Sequence, residues 1–324
     1  MRKLHRPDIS LPTLVRINNE YDVSLAPEAG GPSEGQWNNP DVRGALYAMH
    51  GLVCAYCQKK VSDDRGDVEH FRPKSVYRWL VYAFSNYLLS CRPCNSHRKG
   101  NRFPLAAGAK PVTYATRSQL DQEKRLLLDP AQDPVEVWVQ MDWGHSLYRI
   151  EPTEAARRNP EGYERVRQTI DFFRLNTNPI LLRNRIGVMD KAIKTVTEIR
   201  GGNAADSNKL RKKASRYKPF GIYVRHLLRD TMEELLPTRQ EEIKWHVDSL
   251  LGDLTMSMRL LKSLAARPRS DTVRKDAEKK KEETCWSLAV LWKNSPPGIS
   301  VDEIKQWIDE AGYLGEVQPY YDQL

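Results

Sequence analysis

The chain has 324 residues, 40% hydrophobic and 29% charged, enough to bury two or three cores in a water-soluble protein. No apolar run approaches the ~18 residues that cross a bilayer. Arg2, Lys3 and Arg6 lead into Pro7, Asp8 and Pro12, with no signal-peptide core, which argues against membrane-spanning and secreted classes. The formal net charge of +9 permits binding to nucleic acid.

Residues 1–40 are rich in Pro, Gly and Asn, and GGPSEGQWNNP at 30–40 reads as a loop in which Trp37 is a core anchor. Residues 41–53 have helical spacing through Val42, Leu46 and Met49. Two CxxC pairs follow, Cys54/Cys57 and Cys91/Cys94, separated by 33 residues. A two-residue spacer lets both sulfurs of a pair face one ion, so the four thiolates suit a closed, structural Zn²⁺ site. The fifth cysteine, Cys285, stands alone. Cysteines committed to zinc point to a reducing compartment, so a cytoplasmic location is expected.

Between the pairs, Gly66-Asp67 marks a turn into a short strand over residues 68–71, with His70 near its end and Pro73 breaking the ladder. The aromatic stretch 77–87 should pack beneath. Arg72, Lys74 and Arg78 are candidate phosphate contacts, and a helix should begin near Asn95 with its N-terminal N–H groups facing phosphate. His70 suits a general base because its ordinary pKa lies near neutrality. A carboxylate beside it and an amide farther along supply oxygen donors for a hard divalent cation, which would neutralise charge on phosphoryl oxygens. His97, two residues past Asn95, is the rival candidate and could ligate metal or touch phosphate.

Residues 112–150 read as a β region, VEVWVQM and SLYRI flanking a turn at Asp142-Trp143-Gly144. Asn159-Pro160 and Asn178-Pro179 then start two helices. The first carries Tyr163, Val166, Ile170 and Phe173 on one stripe; the second carries Ile186, Met189, Ile193 and Val196 and ends at Gly201-Gly202. Residues 41–105 hold 11 Lys/Arg against 5 acids, and residues 200–230 hold 9 against 2. Two basic runs suggest a phosphate-binding path, the second serving substrate or partner binding and not chemistry. A helix framed by Pro237 and Pro268 opens on a capping box from Thr238 to Glu241. Ile243, Val247, Leu250, Leu254, Met258 and Leu261 form its apolar seam, expected to pack internally. A charged helix over 271–294 turns apolar through Trp286, Leu288, Leu291 and Trp292, and a capping box from Ser300 to Glu303 opens the last helix. No P-loop appears.

Glu69-His70 in VEHFRPKS, Asn86, the second CxxC, Asn95 and Lys99-Gly100 together resemble the HNH endonucleases, nucleases of the ββα-metal fold. MRKLHRP, VEHFRPKS, NYLLSCRPCN and FPL, with LLLDPAQDP and TIDFFRLNTNPILLRNR beyond, are similar to the PtuB-like component of Septu and retron antiphage systems, a likeness running to about residue 190. The resemblance implies that His70 is the general base, Glu69 and Asn95 are ligands of a catalytic Mg²⁺ or Mn²⁺, and Asn86 braces the loop carrying His70. Glu69 stands where Asp or His is commoner, and Asn95 where many members have His. The resemblance also implies an effector nuclease of antiviral defence acting with a PtuA-like ATPase on nucleic acid, DNA before RNA.

The expected fold is thus α+β: an HNH module with four-cysteine zinc knuckles and an N-terminal arm over 1–110, a β-hairpin and helical extension over 111–200, and a helical domain over 201–324. The competing reading is a non-catalytic zinc-ribbon adaptor or assembly subunit, which needs the cysteines but not Glu69, His70 and Asn95.

Overall fold

The computed structural model describes residues 1–20, 34–61, 66–142, 144, 147–266 and 271–324. Of the loop expected at 30–40, residues 30–33 lie outside them, and Glu34–Trp37 forms one helical turn in place of loop; Trp143 of the hairpin turn and Pro268 also lie outside. The fold is α+β and mostly helical, with two two-stranded sheets among the described residues. The chain divides into two compact units, each discontinuous in sequence.

The first unit comprises Met1–Leu4, Leu52–Val81 and Leu88–Thr238. Its first CxxC sits at the tip of a tight hairpin closed by a Val53–Lys60 bridge, and the Ala55 amide ties it to the Leu89 carbonyl. Strand β1 (Asp67–His70) pairs with β2 (Tyr87–Ser90). Gly66 enters β1 with φ +73°, and a Cβ there would lie 2.8 Å from the Ser90 carbonyl oxygen, so glycine is required. After β2 the chain forms a π-helical turn, Pro93–Lys99, whose signature bond runs from the Gly100 amide to the Asn95 carbonyl at 2.6 Å. The α-helix expected near Asn95 is therefore this seven-residue turn.

Farther along, β3 (Val139–Asp142) and β4 (Arg149–Pro152) pair antiparallel with Met141 opposite Ile150, both buried. The hairpin is as expected, but Val135–Trp138 within VEVWVQM is a helical turn. Asn159 and Asn178 cap their helices, Pro160–Phe172 and Pro179–Arg200, by accepting from the amides of Gly162 and Leu181. The second helix buries Leu181, Arg185, Met189, Ala192 and Val196, a face rotated from the expected stripe through Ile186 and Ile193. The reason is Arg185, 0% exposed, which donates to the Tyr148 carbonyl at 2.9 Å and to the Leu175 carbonyl. A cation held by carbonyls at both terminal nitrogens sits where a hydrophobic-periodicity argument has no place for one. The basic run at 200–230 splits: Ser207–Lys213 carries exposed lysines, whereas Gly221–Leu228 within the next helix is buried throughout.

The second unit comprises His5–Gly51, Tyr82–Tyr87 and Arg239–Leu324. Helix Asp271–Lys293 is buried on every side from Glu283 to Trp292, as befits a central helix, and packs against Pro40–His50. Gly44 makes that approach close: a Cβ there would stand 2.4 Å from the Trp286 Cβ. Arg43 pairs with Glu283 at 2.9 Å, both buried. Helix Arg239–Ala266 buries Ile243, Val247, Leu250 and Leu254 of the expected seam, and Ser300 and Glu303 form the capping box at Val301–Glu310. This grouping differs from a division at residues 110 and 200, because residues 5–51 pack with the C-terminal helices. No helix among the described residues is long and apolar enough to cross a membrane.

Candidate metal centre and active site

Cys54, Cys57, Cys91 and Cys94 converge from the hairpin tip and from the end of β2. Their four sulfurs lie within 4.8 Å of one another, and all four side chains are buried. Against the cost of burial, hydrogen bonds from the other three thiols hold the Cys54 thiol well below its ordinary value. Hydrogen bonding with Cys54 and the neighbouring thiols pushes Cys57 and Cys94 well above theirs. One thiolate is thus favoured at its neighbours' expense, and a cation is what lets all four ionise together. Arg98 donates to the Cys94 sulfur at 3.6 Å, and the Ser90 hydroxyl lies 3.7 Å from Cys54, the kind of support that thiolate ligands take. The cluster fits a zinc ion. None of the five cysteines is in a disulfide.

A second centre lies where β1 meets the π turn. Alternation along the strand turns Asp67 and Glu69 toward Pro93–Lys99. Asn95 Nδ2 donates to Asp67 Oδ2 at 3.0 Å, and Lys99 Nζ lies 2.7 Å from Glu69 Oε1. Lys99 also donates to the His70 carbonyl at 2.7 Å, and the Tyr56 hydroxyl to Glu69 Oε1 at 3.2 Å. Burial pushes the Glu69 carboxyl up, and Lys99 opposes that shift. Tyr56, itself inside the first CxxC, stacks on Phe173 with ring centroids 4.0 Å apart. One buried network therefore joins zinc hairpin, strand and turn.

His70 looks the other way. Its Nε2 lies 3.0 Å from the Val81 carbonyl oxygen, which can only accept, so Nε2 carries the proton and Nδ1 the lone pair. Burial lowers its pKa to about 4, which leaves the ring neutral at pH 7. The residue is buried, at 8% exposure.

The other expected residues take varied positions. Asn86 is buried at the end of the 3₁₀ turn Phe84–Asn86, immediately before β2, in the segment that groups with the second unit. His97 is exposed on the π turn. Arg72 is buried in an ion pair with Glu123 at 2.7 Å, which corrects its reading as a phosphate contact; Lys74 and Arg78 are exposed. Asp67, Tyr56 and the bonding of Lys99 were missed. The signal for Asp67 was strand period two, which sets it on the face of Glu69.

For a hard divalent cation the fitting oxygen donors are Asp67 and Asn95, adjacent and half-buried. Glu69 fits less well, because it is 1% exposed and its Oε1 already serves a buried ammonium and a phenol.

Comparison with known proteins agrees with this picture in outline. The chain is 28% identical over 111 residues to the Septu protein PtuB of Bacillus mycoides (strain KBAB4), covering 30% of this chain and 37% of that one. It is 37% identical over 70 residues to the Retron Vc95 putative HNH endonuclease of Vibrio cholerae serotype O1 biovar El Tor, covering 18% and 34%. It is 36% identical over 64 residues to the Septu protein PtuB of Bacillus thuringiensis, covering 19% and 25%. The chain thus spans between a quarter and two fifths of the length of these curated relatives. No protein-family model matches it, and no solved structure does.

Proposed function

We propose that the chain is a zinc-stabilised, divalent-cation-dependent HNH endonuclease with a ββα-metal module, hydrolysing nucleic-acid phosphodiester bonds in antiphage defence. The observation that carries the reading is the polarised His70, with Nε2 bonded to Val81 and a neutral ring, at the end of a strand latched to the turn bearing Asn95. The names of the matched relatives support the setting.

In this reading His70 Nδ1 takes a proton from a water attacking phosphorus, and the Val81 carbonyl holds the tautomer that puts the lone pair on Nδ1. Asp67 and Asn95 hold the catalytic Mg²⁺ or Mn²⁺. When bound, the cation offsets charge developing on the phosphoryl and leaving oxygens. Glu69 and Lys99 fix β1 against the π turn, so that base and cation donors keep one spacing. The resemblance assigns Asn86 to bracing the loop that carries His70. The resemblance adds a partner ATPase of the PtuA kind, and thiols outside disulfides suit a cytoplasmic setting.

The test is cleavage of plasmid DNA and total RNA by purified protein, with and without Mg²⁺ or Mn²⁺, beside His70→Ala. Cation-dependent cutting lost in the variant, with zinc content and fold intact, is the expected result. Cutting that persists in His70→Ala rejects the assignment of the base, with His97 next in line. No cutting by wild type, alone or with its cognate ATPase, leaves the adaptor reading in its place.

A further inference from the structure

A groove of about 1050 Å³ lies within the first unit, beside the zinc hairpin. Eight of its fifteen lining residues are Lys or Arg, and none is acidic. The cations come from separate stretches of chain: Lys59 and Lys60 follow the first CxxC, Lys191 is on helix Pro179–Arg200, and Lys213 ends helix Ser207–Lys213. Val188, Pro219 and Phe220 contribute apolar lining.

The wall between these stretches is built rigidly. Phe220 is a non-glycine residue at φ +58°, a conformation that costs on the order of 1 kcal/mol and persists only where surroundings impose it. Its amide donates to the Gln58 carbonyl at 2.9 Å, which clamps the Lys59-Lys60 loop to the Lys218-Pro219 segment. Gly221 follows with no room for a side chain, since a Cβ would lie 2.0 Å from the Ser215 carbonyl oxygen. A solvated basic face needs no such clamp. Eight cations line one concavity, and the acid beside them is Asp206, 3.8 Å from Lys209; the excess of positive charge raises the folded state's self-repulsion, which a polyanionic ligand relieves.

We infer that this groove seats the sugar-phosphate backbone of a nucleic-acid strand. The choice of ligand rests on the nuclease reading. A strand is favoured over a free nucleotide because the charge is spread over three separate stretches of chain and not gathered on one loop, and because lysine predominates. Lysine acts as a point charge toward phosphate and carries no base-reading geometry. The expected recognition is sequence-independent and salt-sensitive.

The experiment uses the full chain carrying His70→Ala, so that probe survives, and compares it with the same chain carrying Lys60→Gln, Lys191→Gln and Lys213→Gln. Fluorescence anisotropy would follow a labelled 30-mer, single-stranded and duplex, from 50 to 200 mM salt, with unlabelled ATP and inorganic triphosphate as competitors. Zinc content and melting temperature check that the variant is folded. The inference expects binding weakened by roughly 10²-fold at 100 mM salt, and a log–log salt slope shallower by about two for a single strand and three for duplex. Binding and slope within twofold of the parent overturn it. So does displacement of the oligonucleotide by triphosphate at equal phosphate concentration, which marks a small-polyanion site, or loss of an acidic protein partner with oligonucleotide binding intact. A groove that binds DNA in a wild-type chain that cuts nothing leaves the inference standing and removes the nuclease reading, so the two fail separately.

Discussion

The Lys99 ammonium lies 2.7 Å from a Glu69 carboxylate oxygen, and each side chain is 1% exposed. Lys99 stands four residues after Asn95 and Glu69 one before His70, so this pair aligns the two segments that carry the proposed chemistry. A buried pair does little for net stability, yet removing one partner strands a charge. Lys99→Met should therefore destabilise the protein by about 3 to 5 kcal/mol in urea denaturation, and the double change Lys99→Met with Glu69→Leu should recover part of it. Additive losses in the double variant would mean that the two side chains do not act as a pair.

Zinc is expected at about one ion per chain by elemental analysis, and Cys91→Ser should lose it together with the fold of the hairpin region, because metal binding is folding free energy in such a cluster. A soluble, zinc-free Cys91→Ser protein with wild-type melting would refute the assignment.

Asp67 and Glu69 make opposite predictions for the catalytic cation. Mn²⁺ titration followed by electron paramagnetic resonance should show affinity lowered on the order of 10-fold or more in Asp67→Asn and in Asn95→Ala. Glu69→Gln should bind Mn²⁺ nearly as the parent does while melting earlier. The reverse pattern would return Glu69 to the ligand set.

Acid should weaken the first unit through Glu136. Against the cost of burial, Arg216 at 2.9 and 3.0 Å holds its carboxyl down at about 2. A carboxyl lowered in the folded state stabilises above its ordinary value of 4.5, and that contribution fades as pH falls toward 2. Glu136→Gln should thus cost on the order of 2 kcal/mol near pH 7 and progressively less below pH 4.5. A gap between variant and parent that stays constant with pH would exclude this linkage.

Gly44→Val tests the second unit. With Trp286 Cβ 2.4 Å and the Glu283 carbonyl 2.8 Å from a Cβ at that position, the helices Pro40–His50 and Asp271–Lys293 must separate. A loss on the order of 2 to 3 kcal/mol is expected with zinc content unchanged. Unchanged melting would show that the contact is looser than the geometry requires.

Local chemistry was legible in the sequence wherever neighbours in the chain decide it. Asn159 and Asn178 before proline and Ser300 with Glu303 announced helix starts that the structure contains, because a cap needs partners only two or three residues away. The CxxC spacing likewise announced that two sulfurs of a pair share one focus, and the structure brings the two pairs together. Tertiary contacts decided the rest. That Lys99 reaches back to Glu69, that Asp67 and not Glu69 meets Asn95, and that residues 5–51 join the C-terminal helices depend on partners tens to hundreds of residues apart. Periodicity records which face of an element is apolar. It carries no sign of a buried cation such as Arg185 held by carbonyls from elsewhere in the chain, nor of Lys60, Lys191 and Lys213, which become one charged groove only when three separate stretches fold against each other.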